Sequence, residues 1–140
     1  MPDNNDRYIS LLKKSLLNQL YLDNELRIQY LIGCIEGKSD FDKSVFLDIT
    51  SKRKKALAQL KEWRRIGWAN MDGLHRADYS RTMLGEKRLN NIEQCIRDVV
   101  ANEVPGDLIE CGVWRGGCTI FMKGLLDSLG DQTRKVWVAD

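Results

Sequence analysis

No CxxC pair, no histidine cluster and no long apolar run occurs in these 140 residues, and each absence removes a class of protein. Cys34, Cys95, Cys111 and Cys118 stand apart, mostly in apolar or helical surroundings, so buried reduced thiols are expected rather than a disulfide framework. The one histidine, His75, lies in a polar stretch without the Cys/His spacing of a metal site, which predicts an exposed, idle side chain. No stretch approaches the roughly 20 apolar residues that cross a bilayer, and the polar start 1–6 does not read as a signal peptide, so the cytoplasm is the expected compartment. Twenty-two Lys and Arg against 20 Asp and Glu leave a net charge of +2, too little to make nucleic acid or an anionic membrane the main partner. The local exception is Lys52-Arg53-Lys54-Lys55, followed by Lys61, Arg64 and Arg65. Adjacent charges on a helix point in all directions, which predicts a solvated surface, with an RNA- or phosphate-binding patch as the alternative.

What is present is the balance of a soluble globular domain, 43% hydrophobic and 30% charged. Tyr8, Leu11, Leu12, Leu16 and Leu20 recur at three- and four-residue steps and predict an amphipathic helix from Arg7 to about Tyr21. A second helix carries Leu26, Tyr30, Leu31 and Cys34 and exits at Gly37-Lys38-Ser39-Asp40. A third, from about Ser44 to Trp63, has a very basic middle that weakens its continuity. Periodicity is lost between Ile66 and Ser80, which reads as a loop or irregular lid. Gly85 to Asn102 is a strong helix with Leu89, Ile92, Cys95, Ile96 and Val99 on one face, ended by Pro105-Gly106. Asp107 to Gly112 then reads as a buried strand, Gly116 to about Leu129 as a helix, and Arg134 to Ala139 as a second strand. With no hairpin signal between the strands, this order predicts a right-handed βαβ unit and a parallel sheet.

The run Asp107-Leu108-Ile109-Glu110-Cys111-Gly112-Val113-Trp114-Arg115-Gly116-Gly117 is the most informative stretch. Its glycines let the backbone leave the strand at positive φ and let a ligand approach without meeting a β-carbon. The helix that opens there offers unpaired N–H groups. The spacing is not the GxGxxG of a dinucleotide site, and Glu110 beside the turn would repel a pyrophosphate while suiting a cationic ligand such as the methionine ammonium of S-adenosylmethionine. Asp140, 23 residues after Gly117 at the tip of the next strand, stands where a carboxylate accepts hydrogen bonds from ribose hydroxyls. The plain alternative is that the glycines only permit tight helix–strand packing and that both acids are solvated strand ends.

Thr82-Met83-Leu84-Gly85, Lys87-Arg88-Leu89-Asn90-Asn91, Val104 through Gly117 and Val136-Trp137-Val138-Ala139-Asp140 closely resemble the macrocin O-methyltransferase (TylF/MycF) family, and Arg7-Tyr8 with Leu11-Leu12-Lys13-Lys14 resembles its N-terminal helix. The resemblance implies an α/β, class I methyltransferase (Rossmann-like) fold, here incomplete: a parallel βαβ unit preceded by a helical region. It divides the chain into a helical or lid region, 1–80, and the first part of an S-adenosylmethionine-binding domain, 81–140. It implies O-methylation of a sugar hydroxyl on a glycosylated metabolite, with magnesium in the complete enzyme. It places Glu110 at the methionine ammonium, Gly112 and Val113 along the cofactor with Cys111 beside them, Trp114 as a wall, Asp140 at the ribose, and Thr82 and Met83 in a segment that closes over the cofactor. Cys111 and Cys118 replace residues that are more often Thr and Ala, changes near in volume. The family's metal-binding acids and catalytic histidine have no counterpart in these residues, and His75 is not assigned their role. The chain is therefore expected to be a fragment, inactive alone and poorly folded because two strands leave an open sheet edge. A non-catalytic interaction module with a remnant βαβ unit is the alternative reading, and exposed leucines on the first helix would suit a homo-oligomeric contact.

Overall fold

The computed structural model describes residues 4–67 and 79–140, and His75 and most of the expected loop lie outside them. Helix α1 spans Asn4–Leu16, a 3-10 turn follows at Gln19–Tyr21, and α2 spans Leu22–Ile35. Helices α3 (Lys43–Leu47), α4 (Ile49–Lys52), α5 (Lys54–Ile66) and α6 (Glu86–Ala101) precede strand β1 (Leu108–Cys111), helix α7 (Gly117–Ser128) and strand β2 (Val136–Ala139). The strands pair in parallel, Leu108 against Val136 through Cys111 against Ala139, as the absence of a hairpin signal requires.

Two elements differ from their sequence pattern. The first helix stops at Leu16 rather than near Tyr21, because Asn18 takes the left-handed conformation at φ 53°, which asparagine tolerates better than most residues. Its buried face is Ile9 and Leu16, with Leu12 packed beside them, whereas Tyr8 and Leu11 are exposed. The expected helix 44–63 is broken at Asp48 and Arg53, both near φ −115° and ψ 45°. The breaks bury Ile49 and bring the Arg53 guanidinium over the Tyr30 ring at 5.5 Å. One straight helix cannot aim all of those side chains at a single neighbour.

The chain packs around two apolar cores. Ile9, Leu16 and Leu17 join Leu89 and Ile96 of α6 and Phe121, Met122, Leu125 and Leu126 of α7, with Leu108 and Val136 of the strands against them. Burying Phe121 completely contributes about 2–3 kcal/mol, before the entropy of ordering it. The second core joins Leu22, Leu26 and Tyr30 of α2 to Ile49 and Leu60. Helix α1 thus shares its core with the α/β portion, so the packing units cross the boundary expected at residue 80.

Within the second core Arg64 is 3% exposed, contrary to the expectation that the basic run is all solvated. Its Nη2 donates to both Glu25 carboxylate oxygens at 2.7 Å, and Asn18 Nδ2 donates to Oε2 at 2.7 Å. Lys52, Arg53, Lys54, Lys55, Lys61 and Arg65 are exposed as predicted. Among the described residues only one face of the sheet is covered: Leu108 and Val136 turn toward the helices, whereas Ile109 and Trp137 lie largely open on the other face. The loop into β2 is tied down by Arg134, which donates to the carbonyls of Gly106 and Val104 at 2.5 Å and to Asp131 at 2.8 Å. Hydrogen bonds from the Thr133 hydroxyl and the Arg134 backbone hold the Asp131 carboxyl down at about 2.

Candidate functional site

At the carboxyl end of β1 the backbone turns through positive φ three times, at Gly112 (80°), Trp114 (48°) and Gly116 (73°). The Gly112 N–H extends the ladder to the Ala139 carbonyl at 2.8 Å, and the next amide, Val113, donates to the Asp140 carboxylate at 3.1 Å. The Gly116 N–H closes the turn on the Val113 carbonyl at 3.0 Å. A β-carbon at Gly112 or Gly116 would meet nothing within 4 Å, so the turn opens onto space where a ligand can lie against bare backbone. Trp114 is the exception, since a bulky residue in this conformation costs about 1–2 kcal/mol. Its ring is 39% exposed and lies under the Arg115 guanidinium, 4.1 Å from carbon to ring centre.

Glu110 lies on the helix-facing side of β1, and the Thr119 hydroxyl of α7 donates to its Oε2. The neighbouring Cys118 thiol is pushed up to about 11, first by burial and then by the negative charge of Glu110. Thr119 was not among the expected site residues. Its signal was its place on the first turn of the helix after the acid-bearing strand, facing back toward it.

Above the first residue of α7 runs a strap, Ser80–Leu84. A β-carbon on Gly117 would lie 2.2 Å from the Arg81 carbonyl oxygen and 2.9 Å from the Thr82 β-carbon, so only glycine permits this approach. The Arg81 N–H donates to the Leu16 carbonyl at 2.7 Å, the Ser80 hydroxyl to the Thr82 carbonyl at 3.0 Å, and the Leu84 N–H to the Thr82 hydroxyl at 3.1 Å. Leu84 bridges to Gly67, and Gly85 packs so tightly there that a β-carbon would sit 2.2 Å from the Gly67 nitrogen.

The expected site residues therefore divide. Glu110, Gly112, Val113, Trp114 and Asp140 gather around the turn, and the strap brings Thr82 to its edge. Thr82 itself is buried with its hydroxyl accepting a backbone bond, leaving Arg81 and Met83 as the strap's exposed side chains. Cys111 is exposed at the strand end. Among the described residues no three His, Cys, Asp or Glu side chains come together as a metal ion would need. A separate hollow of about 200 Å³ between α1 and α6 is crossed by Lys13, which donates to Asn90 at 2.6 Å and pairs with Glu93.

The geometry sets out acceptors, Glu110, Asp140 and the Arg81 carbonyl, around an open backbone turn at the strand ends. The model of the family described as macrocin-O-methyltransferase (TylF) matches residues 5–140. This chain belongs to that family. It is 36% identical over 138 residues to the 8-demethyl-8-(2,3-dimethoxy-alpha-L-rhamnosyl)-tetracenomycin-C 4'-O-methyltransferase of Streptomyces olivaceus, covering 99% of this chain and 41% of that protein. It is 38% identical over 113 residues to the demethyldecarbamoylnovobiocin O-methyltransferase of Streptomyces niveus, covering 74% of this chain and 43% of that one. The solved structure of the O-methyltransferase NovP superposes with a TM-score of 0.62 at 31% identity, over 98% of this chain and 42% of that one. The chain thus spans about two-fifths of the length of these relatives, and within that span it carries the helical region and a parallel strand pair of an incomplete Rossmann-like fold.

Proposed function

We propose that this chain carries the cofactor-binding portion of an S-adenosylmethionine-dependent O-methyltransferase whose acceptor is a hydroxyl of a glycosylated small molecule. One observation carries the reading: the open glycine turn is flanked by Glu110 and Asp140, and the Arg81 carbonyl lies over the helix N-terminus where a phosphate would otherwise rest. Such a rim of acceptors disfavours a pyrophosphate and fits a ligand with an ammonium group and ribose hydroxyls.

In this reading Glu110, oriented by Thr119, accepts from the methionine ammonium. Gly112 and Val113 allow the backbone to approach the cofactor, with Cys111 at the strand end beside them. Trp114 walls the site, Asp140 accepts from the ribose, and Met83 and Thr82 border it from the strap. S-adenosylmethionine supplies an electrophilic methyl group on a sulfonium. The residues' own contribution is to bind and orient it and to keep water from that side of the site. Magnesium finds no fitting ligand cluster among the described residues, so polarisation of the acceptor hydroxyl is assigned to none of them. The proposal extends to a cytoplasmic enzyme and to a homo-oligomeric contact through the exposed Leu11 of α1. Among the described residues no helix is long and apolar enough to cross a membrane.

Isothermal titration with S-adenosylhomocysteine tests the reading. The parent chain is expected to bind, and Glu110→Ala to weaken binding about tenfold or more, the cost of a lost charge-assisted hydrogen bond. Absence of heat in a sample shown to be folded would refute it. It would favour instead a helical interaction module, a reading supported by the closed core that α2, α4 and α5 form without the sheet.

A further inference from the structure

Arg115 has none of the roles above, yet it reaches in two directions. Its Nη1 donates to the Ser80 carbonyl at 3.0 Å, across 35 residues of chain, and its guanidinium carbon lies over Trp114, 4.1 Å from the ring centre. Ser80 is buried at 1% exposure, so its carbonyl needs a partner inside the protein. A guanidinium is suited to both tasks, donating in its plane and stacking on its face, where a lysine ammonium could do only the first. The strap is already fixed to α1 through Arg81 and Leu16, and to α5 through Leu84 and Gly67. Arg115 ties it by a side chain to the glycine turn itself.

We infer that Arg115 is a positioning residue that joins the Ser80–Leu84 strap and the Trp114 ring into one unit, fixing the separation between two walls of the candidate site. What that unit serves rests on the S-adenosylmethionine reading; the coupling between strap and turn does not. Arg115 acts through its neighbours, holding the strap at its buried carbonyl while keeping the Trp114 ring over the turn.

The test uses two strap amides, Arg81 N–H, bonded to the Leu16 carbonyl of α1, and Leu84 N–H, bonded to the Thr82 hydroxyl. Their hydrogen exchange is followed in the full chain without ligand, in the parent, Arg115→Ala and Arg115→Lys, with the amides of α2 and α5 as a check on folding. In Arg115→Ala both strap amides are expected to exchange about tenfold faster while α2 and α5 are unchanged. S-adenosylhomocysteine affinity falls about tenfold in the same variant. Arg115→Lys, which returns a donor to Ser80, recovers most of the strap protection but not the full affinity, because the stacked face is missing. Unchanged exchange of both amides in Arg115→Ala overturns the inference whatever the ligand does. Faster exchange with unchanged affinity overturns the positioning role and leaves the cofactor reading standing. A folded parent that takes up no S-adenosylhomocysteine overturns the cofactor reading, and the role in that site with it.

Discussion

The α2–α5 region and the α/β portion each pack on an apolar core, the second about twice the size of the first, but they close their surfaces differently. The helical region gathers Leu22, Leu26, Tyr30, Ile49 and Leu60 into a core of its own while Ile35, Phe41 and Leu47 stay exposed, and where a charge falls into that core it is matched, Arg64 by Glu25. The α/β portion is finished on one side only. Its helices cover one face of the sheet, Ile109 and Trp137 look outward, and its polar groups gather at the strand ends instead of in the interior. A core of its own and a candidate binding rim are built from different parts of the chain, and substitutions should separate them.

The largest effect is expected at the buried ion pair. Arg64→Met leaves the Glu25 carboxylate buried without its guanidinium and should cost about 3–5 kcal/mol, whereas adding Glu25→Leu should recover much of it. Urea unfolding with exchange protection as a second probe checks this. If α6 and α7 lose protection together with α2 and α5, the two regions are one cooperative unit and the contrast fails. Gly117→Ala comes next. Its methyl meets the Arg81 carbonyl rather than a yielding side chain, for a loss of about 1–3 kcal/mol. This loss should appear in the α/β portion and abolish S-adenosylhomocysteine binding by calorimetry, while α2–α5 protection persists. Thr119→Val removes one hydrogen bond from Glu110, and affinity should fall roughly fivefold, about 1 kcal/mol, with little change in Tm. A Tm loss without an affinity change would make Thr119 a packing residue.

A further effect, confined to alkaline conditions, is in pH. The folded-state thiol of Cys118 lies above its ordinary value, at about 11 against 9.0. The stability this contributes is complete below pH 9 and is lost as pH rises from 9 toward 11. Alkylation by iodoacetamide should reach the exposed Cys95 and Cys111 first and leave Cys118 unmodified until strongly alkaline pH. Equal rates for all would show that the α7 end of the core opens readily.

The βαβ unit was legible within a residue or two at each end, because Pro105-Gly106, the glycine turn and Gly130 punctuate it and its apolar runs match their elements. The basic middle weakened the continuity of the third helix, but the positions of its breaks, Asp48 and Arg53, were not legible, since neither is a proline or glycine. Arg64 was illegible as well: its partner Glu25 is 39 residues away, and both types normally face water. Of the candidate site, Glu110, the turn and Asp140 carried their own signals of charge and glycine. The strap did not, because Gly117 and Gly85 show only in three dimensions which backbone each admits.

Asp140 has a consequence for how the turn is assembled. The Val113 amide is satisfied by a side chain 27 residues further along, at the tip of the second strand. The turn therefore has its full hydrogen bonding only where β2 is paired with β1 in the register that carries Asp140 to it. Exchange protection of the Val113 amide thereby reports on the strand pair beneath the rim as well as on the turn itself.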